Sequence, residues 1–158
     1  MEKTAPINIE NNADADSKDS NGETPLLTAA GHDHEAAVKL LLEAGRVDVQ
    51  PKDDPTGRTP LYVAAWHGYE AVVKLLLATD GVDADPKDPN GWTPLLRAAQ
   101  EGHEAVVGYL LQTGLAIVQP EDGVRGWTLP SVATQNGHKA VVELSQWSEW
   151  RSFWNRAG

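Results

Sequence analysis

The chain has 158 residues, of which 41% are hydrophobic and 23% charged, and it contains no cysteine. That size and balance predict a folded domain or one short array of repeats rather than a disordered chain. The missing thiols exclude disulfides, cysteine nucleophiles and cysteine-bound zinc, and a net charge of −10 with pI ≈ 4.8 repels phosphate backbones, so nucleic acid is not the expected partner.

Residues 1–12 have no apolar stretch and are expected to be a flexible tail without a signal peptide. No apolar run anywhere approaches the roughly 20 residues that cross a bilayer, so no membrane partner is expected. From residue 13 a pattern begins and repeats. TPLLTAA starts at Thr24, TPLYVAA at Thr59, TPLLRAA at Thr93 and a scrambled TLPSVAT at Thr128, spaced 35, 34 and 35 residues apart. Each is followed in phase by a second block: HEAAVKLLLE from His34, YEAVVKLLLA from Tyr69, HEAVVGYLLQ from His103 and HKAVVELSQW from His138.

Each unit reads as two helices. The four threonines are N-caps, and in three units proline follows at the first helical position. The Ala-Ala pairs leave room for close helix approach. Gly68, Gly102 and Gly137 supply a left-handed turn before the second helix, a place that Asp33 takes in the first unit. Valine and leucine at spacings of one, three and four then build the second helix. Pro51, Pro86 and Pro120 mark turn-bearing extended fingers between units. The stretch ADADSKDSNG reads as the closing half of such a finger. In the last unit Ser145-Gln146 stands where the others have Leu-Leu, which predicts a terminal cap with a polar outer face. LSQWSEWRSFWNRAG continues helical, with Leu144, Trp147, Trp150 and Trp154 on one stripe that either folds over the end of the stack or docks another domain.

These blocks resemble the ankyrin repeat family over residues 13–147. The resemblance implies an all-α solenoid with units from about 13, 48, 83 and 117, short β-hairpin fingers, and residues 148–158 as a Trp-rich helical extension. It departs from the family where histidine usually follows Thr-Pro-Leu. Leu27, Tyr62, Leu96 and Ser131 stand there, so packing is expected to replace the usual hydrogen bond.

No motif supports chemistry. His32-Asp33-His34-Glu35 has the look of metal ligands, but these histidines recur with the turn and read as structural, with no third ligand nearby. Nucleotide, nucleophile-elbow and zinc-protease signatures are absent. Neither catalysis, a metal nor a cofactor is expected. What varies between units is the residue before threonine (Glu23, Arg58, Trp92, Trp127), the close of the first helix (Trp66-His67, Gln100-Glu101) and the finger tip (Pro55-Thr56, Val124-Arg125). In ankyrin repeats such positions line the concave groove and finger tips. The resemblance therefore implies a scaffold, cytoplasmic or nuclear and monomeric, that binds a basic protein or peptide. Tryptophans are common interface anchors, and indole faces near acids suit a cation. The rival expectation is a regulatory segment that docks within a larger signalling protein.

Overall fold

The computed structural model describes residues 15–51, 56–116 and 126–157. Four helix pairs follow one another: α1 (Pro25–Gly31) with α2 (Glu35–Glu43), α3 (Pro60–His67) with α4 (Glu70–Leu77), α5 (Pro94–Glu101) with α6 (Glu104–Thr113), and α7 (Leu129–Gln135) with α8 (Lys139–Ala157). The N-terminal tail, Ala13-Asp14, the finger-tip residues Pro55 and Val124-Arg125, and the side chains of Trp150 and Trp154 lie outside the described residues.

Each first helix starts as expected. Thr24, Thr59, Thr93 and Thr128 sit in extended backbone and their hydroxyls accept the third backbone N–H of the helix, as in Leu96 N to Thr93 Oγ1 at 3.2 Å. This satisfies one of the N–H groups that a helix start leaves orphaned. Ser131 closes a capping box by accepting the Thr128 N–H in return.

The substantial helix contacts join either the two helices of one unit or like helices of consecutive units. First helices stack through Ala29-Ala30, Ala64-Ala65, Ala98-Ala99 and Ala133, all buried. Second helices contribute Val38, Val72, Val73, Leu76, Val106, Val107, Leu110 and Val141 to the same core. The core is therefore a sheet of small and branched side chains between two helix layers, and each unit completes its neighbour's.

The turns carry the units' register. Gly68 and Gly102 adopt φ of +79°. A Cβ at Gly68 would lie 2.5 Å from His103 Nδ1, and one at Gly102 would lie 2.5 Å from His138 Nδ1. Glycine is thus required twice over, by backbone sign and by the neighbouring unit's imidazole. Asp33 takes the same left-handed conformation at φ 57°.

Three expectations are revised. No β-strand forms among the described residues; the fingers turn on aspartates instead. Asp19 Oδ1 accepts the Asn21 and Glu23 N–H groups, and Asp88 Oδ1 accepts those of Asn90 and Trp92. Side-chain acceptors compete here with a ladder. Second, of the Ser145-Gln146 pair only Gln146 is exposed; Ser145 is fully buried, and its hydroxyl donates to the Val142 carbonyl at 2.6 Å. Third, packing replaces the family's histidine bond at Leu27 and Leu96, whereas Ser131 caps its helix and Tyr62 forms a polar network. In α8, Leu144 packs on the core while Trp147 is 75% exposed, so this indole covers no core.

Candidate functional site

Trp66, Trp92, Trp127 and Gln100 gather around a side chain that the pattern between units did not single out. Arg97 lies one turn into α5, at the place that Thr28, Val63 and Val132 hold in the other units. Its guanidinium carbon is 4.4 Å from the Trp92 ring centroid and 4.9 Å from that of Trp66. Two indoles from consecutive units thus flank one cation. Each contact contributes about 0.5–2 kcal/mol, more as water is excluded.

The guanidinium also donates from all three of its nitrogens. Its Nε donates to Tyr62 Oη at 2.7 Å, Nη2 to Asp88 Oδ2 at 3.3 Å, and Nη1 to Gln100 Oε1 at 3.0 Å. Tyr62 Oη in turn donates to Asp88 Oδ2 at 2.7 Å, so one hydroxyl accepts from the arginine and donates to the aspartate. Burial pushes the Tyr62 hydroxyl up to about 12. Burial would also raise Asp88, but the bonds from Tyr62, the Trp92 and Asn90 N–H groups and Arg97 outweigh it and hold the carboxyl below its usual value. Asp88 has two jobs: one oxygen closes the finger turn that positions Trp92, and the other meets the arginine.

The aromatic cluster extends both ways. The Trp92 and Trp127 centroids are 5.5 Å apart at a 31° tilt. Trp66 meets Tyr62 edge-on at 6.2 Å and stacks on His67 at 5.9 Å, and His67 stacks on Tyr69 at 5.5 Å. Pairs of this kind contribute about 0.5–1.5 kcal/mol beyond area burial.

The sequence-predicted residues therefore divide. Trp66, Trp92, Trp127 and Gln100 join the Arg97 cluster. Glu23, Arg58 and His67 line a cleft of about 320 Å³ between the first two units, with Leu27 and Val63 in its walls, and His67 joins it to the cluster through Trp66. Glu101 belongs to neither and is exposed at the end of α5. The residues missed are Arg97, Tyr62 and Asp88. For Arg97 and Tyr62 the signal is one arginine in a column of threonine and valine, and one tyrosine in a column of leucine and serine.

The repeating histidines act between units. His103 Nε2 donates to the Trp66 carbonyl at 2.9 Å, and His138 Nε2 to the Gln100 carbonyl at 2.9 Å. Each closes the C-terminus of the preceding first helix, where carbonyls lack helical partners. Among the described residues, no group of three or more His, Asp and Glu side chains is placed to hold a metal ion, and no helix is long and apolar enough to cross a membrane.

Capped helix pairs stacked like on like, with left-handed turns and fingers between them, define a helical repeat solenoid. The family model for ankyrin repeats (3 copies) matches residues 2–88 and 76–145, and the chain belongs to that family. Ankyrin repeats are in general protein–protein interaction modules and typically do not catalyse reactions. No curated protein matches the chain.

Proposed function

We propose that this protein is a recognition module that binds a partner protein or peptide across the groove and finger tips on the first-helix side, without catalysis. One observation carries the reading. Eight of the residues that vary between units, Glu23, Arg58, Trp66, His67, Trp92, Gln100, Glu101 and Trp127, are partly or fully exposed, whereas the frame beside them (Leu26, Ala30, Leu61, Ala65, Leu95, Ala99) is at most 1% exposed. Tryptophan and arginine are the residues most often found to dominate interface energetics. The net charge of −10 favours a basic partner. In this reading the array works as a monomeric scaffold in the cytoplasm or nucleus.

Peptide display against the intact protein tests this. Selected peptides should lose at least about tenfold in affinity with Arg58→Ala, His67→Ala or Glu101→Ala, each an exposed position. They should be unaffected by Lys39→Ala or Glu104→Ala on the second helices. Peptides indifferent to the first set, or sensitive to the second, would overturn the reading.

A second reading draws on Trp147, which at 75% exposed is the most exposed large apolar side chain described. It has α8 docking onto a further domain of a larger protein. Loss of that association with Trp147→Gln, at unchanged stability, would favour it.

A further inference from the structure

The first-helix face is filled at one inter-unit step and open at another. Between the second and third units the space is occupied by Tyr62, Trp66, Trp92 and Arg97. The corresponding positions between the first and second units are Leu27, Gly31, Arg58 and Val63. Smaller side chains leave the cleft of about 320 Å³. The difference is chemical as well as steric. Where the chain places its own cation, Arg97, the earlier step has Val63 and no equivalent charge at that place.

The wall of the cleft holds an under-used acid. Glu23 is partly buried, its carboxylate accepts one long hydrogen bond from the Thr28 hydroxyl at 3.4 Å, and it has no ion pair among the described residues. Leu27 and Val63 offer apolar surface beside it. A lysine or arginine stem lies well on such surface while its charged head reaches an acid. Arg58 also lines the cleft, but it is exposed, its Nε is tied back to Thr56 Oγ1 at 2.9 Å, and it stands one repeat away from Glu23.

We infer that this cleft receives one lysine or arginine side chain of the partner, with its head on Glu23, and that the partner thereby supplies at the first step the cation that Arg97 supplies at the second. This rests on the recognition reading above and names its partner chemistry.

The probes are N-acetyl-lysine methylamide and N-acetyl-arginine methylamide, titrated into the ¹⁵N-labelled full chain, with the N-acetyl-glutamate analogue as control. The basic probes should shift the Gly22, Thr28 and Gly31 amides saturably. Glu23→Gln should weaken them about tenfold, and Lys39→Gln, on the second-helix side, should leave them unchanged. No saturable shift at the cleft, equal binding of the glutamate probe, or indifference to Glu23→Gln would overturn the inference. The outcome is separable from that of the recognition reading. Displayed peptides that bind this face yet ignore Glu23→Gln would sink the cleft assignment alone. Basic probes that bind the cleft while no displayed peptide responds to the face would sustain the cleft and sink the recognition reading.

Discussion

The Arg97 guanidinium lies 4.4 Å from the centre of the Trp92 ring, and both residues answer to Asp88. Its Oδ1 accepts the Trp92 N–H at 2.9 Å, and its Oδ2 accepts from Arg97 at 3.3 Å. One carboxylate therefore sets the finger that carries the indole and anchors the cation that the indole faces. Helix α5, the finger before it and helix α3 are locked through a single group.

Removing the arginine should be costly. Its ion pair with Asp88 is enclosed, with side chains 17% and 7% exposed. Arg97→Ala leaves that carboxylate short of a partner and should lower unfolding free energy by about 3 kcal/mol in urea titrations. Arg97→Lys retains charge but not the planar fork, and should lose about half as much. Equal stability of wild type and Arg97→Ala would contradict the network.

Tyr62→Phe should cost about 1.5–3 kcal/mol, because the hydroxyl bonds two charged groups at once. The ring itself stays, so apolar packing against the core is unchanged. In the Arg97→Ala background the same substitution should cost measurably less. A double-mutant cycle with zero coupling would show that the two side chains act independently.

The pH dependence follows from two opposite shifts. Asp88 has a lowered native pKa, so its contribution is present above the unfolded value of about 3.9 and is lost as pH falls through that value toward the native one. Tyr62 is raised to about 12, so its contribution is present below the unfolded value of about 10 and is lost as pH rises from there toward 12. Urea midpoints across the pH range should fall less on the acid limb in Asp88→Asn, and less on the alkaline limb in Tyr62→Phe, than in wild type.

Two glycines separate backbone strain from steric conflict. Gly137 and Gly68 have similar φ, +76° and +79°, but a Cβ meets nothing within 4 Å at Gly137 and the His103 ring at 2.5 Å at Gly68. Gly137→Ala should cost about 1 kcal/mol from the left-handed conformation alone. Gly68→Ala should cost a further 1–3 kcal/mol or so from overpacking. Thermal denaturation of the pair compares them directly, and His103→Ala should relieve the excess at Gly68.

Much of this is legible in the sequence. The threonine caps, the proline that follows them, the left-handed Asp33 and the glycine turns all depend on interactions within a few residues, and each formed as its local chemistry required. Where the structure departs from the local pattern, a specific competing interaction accounts for it. Strand fingers gave way to aspartate turns because Asp19 and Asp88 offer acceptors two and four residues back. Ser145 looked like an outer polar residue because its bond to the Val142 carbonyl is invisible to composition.

The helix pairs, their register and their stacking follow from a 34- or 35-residue period with small residues on one helix face. Which side chains meet across that period depends on how the stacked units face one another. Arg97 and Tyr62 are 35 positions apart, and His103 and Trp66 are 37 apart. Stacking brings such residues within bonding distance. The indoles that seemed to await a foreign cation already flank the chain's own, and the space left open lies one step earlier, where Val63 replaces arginine and Gly31 replaces tryptophan.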